Sequence, residues 1–229
     1  MTLADFQNNI HVQFKNEALL KQAFIHRSFI NENPRSGLEH NERLEFLGDA
    51  VLELVVTSFL YETYPHHNEG DLTAYRSALV NAVTLGSVAD ELHFNDMLKL
   101  SKGEAKDVSR ARSSILADAY EAVVGAIYLD QGYDAAKTFI SHTVLIKTAD
   151  IIKQGLYKDA KSLVQEKAQE HVSVTPSYKV LSEEGPDHDK LFTVGIFFGD
   201  TKIADGEGRS KQEAETSAAK NALRAKGWM

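Results

Sequence analysis

The chain has 229 residues, 43% of them hydrophobic, no cysteine and a formal net charge of −8. That length accommodates one large domain or two smaller ones with a real core, and the lack of cysteine excludes disulfides, thiolate zinc sites and cysteine nucleophiles, which fits a reducing compartment. Residues 1–155 hold 14 Lys and Arg against 21 Asp and Glu, and the remainder 11 against 12, so neither part is basic and any contact with a polyanion has to come from local clusters.

The opening stretch MTLADFQNNI lacks the basic-then-apolar pattern of a signal peptide, and no apolar run reaches the length of a membrane span. A cytoplasmic protein with no membrane contact is expected. Residues 1–150 read as helical almost throughout. Helical spacing covers roughly 16–31, the run from 42 onward, 71–91, 112–130 and 133–150, with Pro34 and Pro65 in loops. The polar segment LSKGEAKDVSRARSS (100–114) reads as a loop before a helix. Gly155 is a plausible linker position. After it come a helical pattern at about 158–170, strand patterns, and a last helix. Phe192, Val194, Ile196 and Phe198 alternate as in a half-buried strand. Ser210 followed by Glu213 reads as a capping box, and Ala214, Ala218 and Ala222 share one face of the helix it opens. The predicted order of this second part is α-β-β-β-α, a small α+β domain.

Placed on a helix, Glu42, Glu45, Asp49 and Glu53 fall within one narrow arc. Leu44, Leu47, Val51, Leu54 and Val55 fall opposite, Arg43 points away, and Phe46 lies between the two faces. Like charges three or four apart cost an isolated helix roughly 0.2–0.5 kcal/mol per pair. A solvated acidic face is one explanation. A second helix, SSILADAYEAVVGAIYLD (113–130), also places Asp118 and Glu121 on one face with no Lys or Arg within a turn. Their neighbours on that face, Ala122 and Gly125, let another helix approach closely. Two acidic faces without counter-ions could instead meet around a hard divalent cation such as Mg²⁺, which takes oxygen ligands.

HNERLEFLGDAVLE resembles the signature of the ribonuclease III family nearly residue for residue. GDLTAYRSALVN and ILADAYEAVVGAIYLD resemble that family's next two stretches in the same order. The tail, with GPDHDKLF and GRSKQEAETSAAKNAL, is similar to a double-stranded RNA-binding domain. The resemblance spans essentially the whole chain. It implies an all-α endonuclease domain (1–150), a linker (151–156) and a small α+β double-stranded RNA-binding domain (157–229). It also implies hydrolysis of double-stranded RNA to 5′-phosphate and 3′-hydroxyl ends, in the processing of ribosomal RNA and other transcripts.

The same resemblance puts metal ligands at Glu45, Asp49, Asp118 and Glu121, with Asp49, Glu121 and the supporting acid Glu42 as catalytic positions. Mg²⁺ is the implied ion, with Mn²⁺ as substitute. One ion would lower the pKa of the attacking water and a second would neutralise the leaving 3′-oxygen. Glu53 has no such role and is expected to be a solvated acid. No histidine lies in these motifs, and no side-chain general base is assigned. Cutting both strands of a duplex calls for two sites, most simply in a C2 homodimer; Phe46, otherwise ordinary core, is the implied anchor at the interface.

For the RNA-binding half, Gln165 and Glu166 suit hydrogen bonds at the edge of a minor groove; His188 is expected at a loop tip, and the resemblance implies that this loop enters a minor groove. Lys211, in the first turn of the last helix, suits phosphate. Gln212 departs from the family pattern, which has a second basic residue there. Lys99, Lys102, Lys106, Arg110 and Arg112 form the best basic cluster, read either as a mobile polar loop or as an auxiliary phosphate contact. Two other functions share these features: a catalytically silent double-stranded RNA-binding or ribosome-associated protein, and a Mg²⁺-dependent hydrolase of small phosphates. The second would have no need of the C-terminal domain.

Overall fold

The computed structural model describes residues 1–106, 110–153, 160–186 and 190–228, with Arg110 described for its backbone only. Gly155, residues 154–156 of the expected linker, and His188 lie outside the described residues. The chain forms two compact units, Met1–Tyr157 and Lys158–Met229.

The first unit is helical: α1 (Leu3–Asn9), α2 (Glu17–Ala23), α3 (Arg27–Glu32), α4 (Glu42–Thr63), α5 (Glu69–Val80), α6 (Ala82–Glu91), α7 (Arg110–Gln131), α8 (Tyr133–Thr143) and α9 (Thr148–Lys153). No helix among the described residues is long and apolar enough to cross a membrane. The expected helix at 16–31 is two helices. Between them Ile25 pairs with Lys99 as an isolated parallel bridge, and the Phe24 carbonyl accepts from the Lys99 N–H. Phe24 is thereby turned inward, where it meets Phe6 and Phe94 edge-on at ring distances of 5.0 and 5.2 Å. The expected helix at 71–91 breaks at Asn81. Its side chain donates to the carbonyls of Ser77 and Ala78 and accepts from the Thr84 N–H. One residue thus closes α5 and caps α6.

Helix α7 is the axis of this unit. From Ile115 to Ile127 every residue is buried except Asp118 and Glu121. Helix α4 lies against it through Leu44, Val51, Leu52, Val55 and Val56. Leu54 departs from expectation: it is 56% exposed, because the buried stripe of α4 runs through Leu52 and Val56 rather than through position 54.

The second unit contains α10 (Ala160–Val172), β1 (Pro176–Glu184), β2 (Leu191–Phe198), β3 (Thr201–Gly208) and α11 (Lys211–Ala225). The strands form one antiparallel sheet in the order β1-β2-β3. The two helices share a core with it: Val164, Ile196, Ala218, Ala222 and Leu223. Gly206 and Gly208 explain why α11 carries alanines. A Cβ on Gly206 would lie 2.1 Å from the Ala218 nitrogen, and one on Gly208 would lie 2.5 Å from that of Ala214. Small residues on both sides let helix and strand meet backbone to backbone. The cap of α11 is half the expected box. The Ser210 hydroxyl accepts from the Glu213 N–H, but the Glu213 carboxylate takes the N–H of Arg209 rather than that of Ser210.

Candidate metal centre and RNA-binding surface

The two acidic faces meet where α4 crosses α7. The crossing is built on two glycines. A Cβ on Gly48 would sit 1.7 Å from the Glu121 carbonyl oxygen, and one on Gly125 would sit 2.2 Å from that of Leu44. Gly125 was legible as a small residue on the acidic face of α7. Gly48, its counterpart on α4, was missed, although a glycine inside a helix costs about 1 kcal/mol relative to alanine and so signals a close approach.

One helical turn from this contact, carboxylate oxygens of Glu45, Asp118 and Glu121 lie within 4.8 Å of one another. Asp49 is not part of that close group. It is exposed, yet its charge raises the pKa of both Glu45 and Glu121. Glu42 and Glu45 stand in the first turn of α4, where the positive end of the helix dipole favours acids. That turn is anchored by Asn41, only 2% exposed, which donates through its amide to the Ala23 carbonyl.

The electrostatics separate these acids into two groups. Glu42 does have basic partners, contrary to expectation: Arg27 at 3.3 Å and His40 at 3.7 Å. Glu53 is not merely solvated either, since it pairs with Arg76 at 3.1 Å. Among the described residues no Lys or Arg pairs with Glu45, Asp49, Asp118 or Glu121. Burial, followed by the charges of Asp118, Glu42 and Asp49, pushes the Glu45 carboxyl up to about 7. Burial, followed by Asp49, Asp118, Glu45 and Glu53, pushes Glu121 up to about 8. Burial also raises Asp118, and His26 offsets part of that rise.

These shifts predict a pH dependence. Each folded-state value lies above the ordinary 4.5, so the stability these groups contribute is complete below pH 4.5 and is lost as pH rises through 7 and 8. Both side chains are partly exposed, so solvent screening leaves about 1–3 kcal/mol for the pair. Glu121→Gln should therefore raise the melting temperature of metal-free protein by about 5 °C at pH 8.5 and by almost nothing at pH 5. Equal effects at both pH values, read by calorimetry, would show that the cluster is not strained by its own charge.

In the second unit, Gln165 and Glu166 are exposed on α10. Lys211 is not a free cation: its ammonium pairs with Glu183 at 3.1 Å and lies over the Phe192 ring at 5.6 Å. In the basic segment, Lys99, Lys102 and Lys106 are exposed. Arg112 instead folds back and donates to Asn95 at 2.7 Å, so it does not extend the cluster into solvent. Phe46 is 82% exposed, which rules out the ordinary-core reading within the single chain.

Residues 16–148 match the model of the ribonuclease-III-like family, and residues 160–226 match the double-stranded RNA binding motif. Among curated relatives, Ribonuclease 3 of Pelotomaculum thermopropionicum is 44% identical over 95% of this chain and 90% of its own length. Ribonuclease 3 of Bacillus licheniformis is 46% identical over 95% of this chain and 87% of its own. Among solved structures, the nuclease domain of ribonuclease III from Campylobacter jejuni is 37% identical, with a TM-score of 0.57 over 62% of this chain and 96% of that one. Matches that run across both units, and an acid cluster on the very stretches that carry the family signature, make this chain a member of the ribonuclease III family.

Proposed function

We propose that the chain is a homodimeric endoribonuclease that cleaves double-stranded RNA by Mg²⁺-dependent phosphodiester hydrolysis, leaving 5′-phosphate and 3′-hydroxyl ends. The observation that carries this reading is the trio Glu45, Asp118 and Glu121, gathered within 4.8 Å with no Lys or Arg partner among the described residues, in a chain that also holds a double-stranded RNA binding motif. Three mutually repelling carboxylates are a poor way to stabilise a helix crossing. They are a good set of hard oxygen donors for Mg²⁺, with Mn²⁺ able to substitute.

Glu45, Asp118 and Glu121 would hold the ion, and Asp49, exposed beside them, would be its fourth carboxylate ligand. The bound ion supplies positive charge that makes water a nucleophile near neutral pH and steadies the leaving 3′-oxygen. Glu42, held by Arg27, supports the cluster from one side. On the RNA side, Gln165, Glu166 and His188 reach a minor groove. Lys211 exchanges Glu183 for a phosphate. Gln212 can donate a hydrogen bond beside it but adds no charge.

Phe46, Leu54 and Tyr61 are all exposed and recur at intervals of eight and seven along α4, which is one apolar seam. A recess of about 460 Å³ adjoins it, lined by Thr57, Leu60, Tyr61, Leu72 and Arg76 among others. An aromatic side chain and a recess on one surface are what an isologous C2 contact requires. The Campylobacter nuclease domain likewise has a region involved in dimer formation. The natural substrates are structured precursors such as ribosomal RNA and other transcripts, met in the cytoplasm. We assign residues 1–150 to catalysis, 151–156 to the linker and 157–229 to RNA binding.

The test is incubation of purified protein with long duplex RNA, single-stranded RNA and duplex DNA, with and without Mg²⁺. Only duplex RNA with Mg²⁺ should be cut. Cleavage of duplex DNA, or of RNA in a chelator, would overturn the reading. Duplex RNA that is bound and never cut would leave the silent RNA-binding alternative.

A further inference from the structure

Lys211 suits phosphate by its place in the first turn of α11, yet its charge is already matched within its own unit. Glu183 and Phe192 face each other across β1 and β2. The Lys211 ammonium reaches back from the helix and rests on both, 3.1 Å from the Glu183 carboxylate and 5.6 Å from the centre of the Phe192 ring. Glu183 stands on a paired strand, so its carboxylate has a defined place, and the flexible lysine stem comes to it.

The surroundings have little positive charge to spare. The next residue of the helix is Gln212, which carries none, and Glu213 turns its carboxylate to the Arg209 N–H. Arg209 is exposed, and no ion pair joins its side chain to an acid among the described residues. Arg209 and Lys211 thus stand against Glu183 and Glu213, and these four carry no net charge where a duplex would bring phosphates. Both members of the Lys211–Glu183 pair are open to water, with side chains 58% and 39% exposed. A surface pair of this kind contributes little to stability. A phosphate arriving at Lys211 can displace the carboxylate or share the ammonium with it. Either way it meets a lysine whose charge is compensated, beside an anion that repels it.

We infer that Glu183 sets the duplex affinity of this unit: it holds Lys211 as a built-in surrogate for phosphate, and RNA has to compete with it for that cation. One unit then binds duplex RNA only weakly. Secure capture needs several contacts at once, as two such units in one homodimer would supply. This role rests on the reading of the unit as a duplex RNA binder, and the experiment keeps the two apart.

The variants are Glu183→Gln, Lys211→Gln and the two together, in the full chain. Glutamine keeps the shape of Glu183 and removes its charge. Because the pair is exposed, all three proteins should melt within about 2 °C of wild type. The probe is an RNA duplex of about 16 base pairs, the span of one such domain, titrated at several salt concentrations with Ca²⁺ in place of Mg²⁺. Glu183→Gln should bind about three- to five-fold more tightly, the fold-change of a surface ion pair. Its slope of log-affinity against log-salt should steepen by up to about one unit. In the Lys211→Gln background the same change should gain clearly less. An equal gain in both backgrounds would mean that Glu183 only repels RNA at a distance. Weaker binding by Glu183→Gln would mean that it positions Lys211 for RNA. Either result overturns the role given to Glu183. If Lys211→Gln alone binds as wild type does, Lys211 holds no phosphate and that role falls with its assignment. A wild-type protein that binds no duplex RNA instead overturns the reading of the unit itself.

Discussion

Glu121→Ala should bind duplex RNA with wild-type affinity and cut it at least a thousand-fold more slowly in Mg²⁺. The two halves of that expectation come from separate parts of the molecule. Gln165, Glu166 and Lys211, assigned above to RNA binding, belong to the second unit, which packs around its own core. Glu121 belongs to α7 in the first. It is one of three acids whose oxygens lie within 4.8 Å, and its loss leaves Glu45 and Asp118 as the close pair. Mg²⁺ demands near-ideal octahedral geometry, so an ion that loses one of its three close carboxylates moves from the position they jointly define. A misplaced ion forfeits both nucleophile activation and neutralisation of the leaving group, together worth more than about 4 kcal/mol of barrier, which is the thousand-fold. A gel shift in Ca²⁺ and a single-turnover cleavage assay in Mg²⁺ separate binding from chemistry. Near-normal cleavage would remove Glu121 from the metal site. Lost binding as well would mean that the nuclease unit carries much of the RNA affinity.

Most of the site was visible in the residues themselves, because a helix turns acids at spacings of three and four onto one face. The spacing of Asp118 and Glu121 placed them together correctly. It could not say that the face of α4 splits, with Glu42 neutralised by Arg27 and Glu53 by Arg76. Those arginines come from α3 and α5, far along the chain, and periodicity carries no information about tertiary neighbours. Helix breaks were lost for a related reason. Asn81 sits in a pattern that is apolar enough on both sides to read as continuous, and its capping bonds only become decisive once α5 and α6 turn away from each other. Leu54 was placed by its spacing on the apolar face of α4, with Leu44, Val51 and Val55. Its exposure is shared with Phe46 and Tyr61 on the same seam, which fits the subunit contact proposed above, and a contact surface of that kind looks like core to any single-chain pattern.

Gly48→Ala should unfold the nuclease unit at a temperature about 10 °C below wild type and abolish cleavage even where the protein remains folded. On propensity alone the sign would be opposite, since alanine in mid-helix is favoured over glycine by up to about 1 kcal/mol. The geometry decides against it. The added Cβ would lie 1.7 Å from the Glu121 carbonyl oxygen and 2.8 Å from the Gly125 nitrogen. Neither is the end of a flexible side chain that could swing aside. The helices must separate, and α7 is buried from Ile115 to Ile127 except at Asp118 and Glu121, so the displacement is passed to Val123, Val124 and the residues packed on them. Overpacking of this kind typically costs 1–3 kcal/mol, and a backbone collision belongs at or above the top of that range. At about 2–4 °C per kcal/mol for a unit of this size, that is roughly 10 °C. The functional loss follows from which atom is struck: the carbonyl belongs to Glu121, so the shift moves one wall of the acid cluster. Gly103→Ala is the control, because its Cβ would meet nothing nearer than the Ser101 hydroxyl at 3.9 Å; it should melt within about 2 °C of wild type. Duplex RNA binding by the second unit should survive in both variants. If Gly48→Ala melts with wild type and still responds to Mg²⁺ at the same concentration, the helices do not touch at Gly48 and the close crossing is not what assembles the acids.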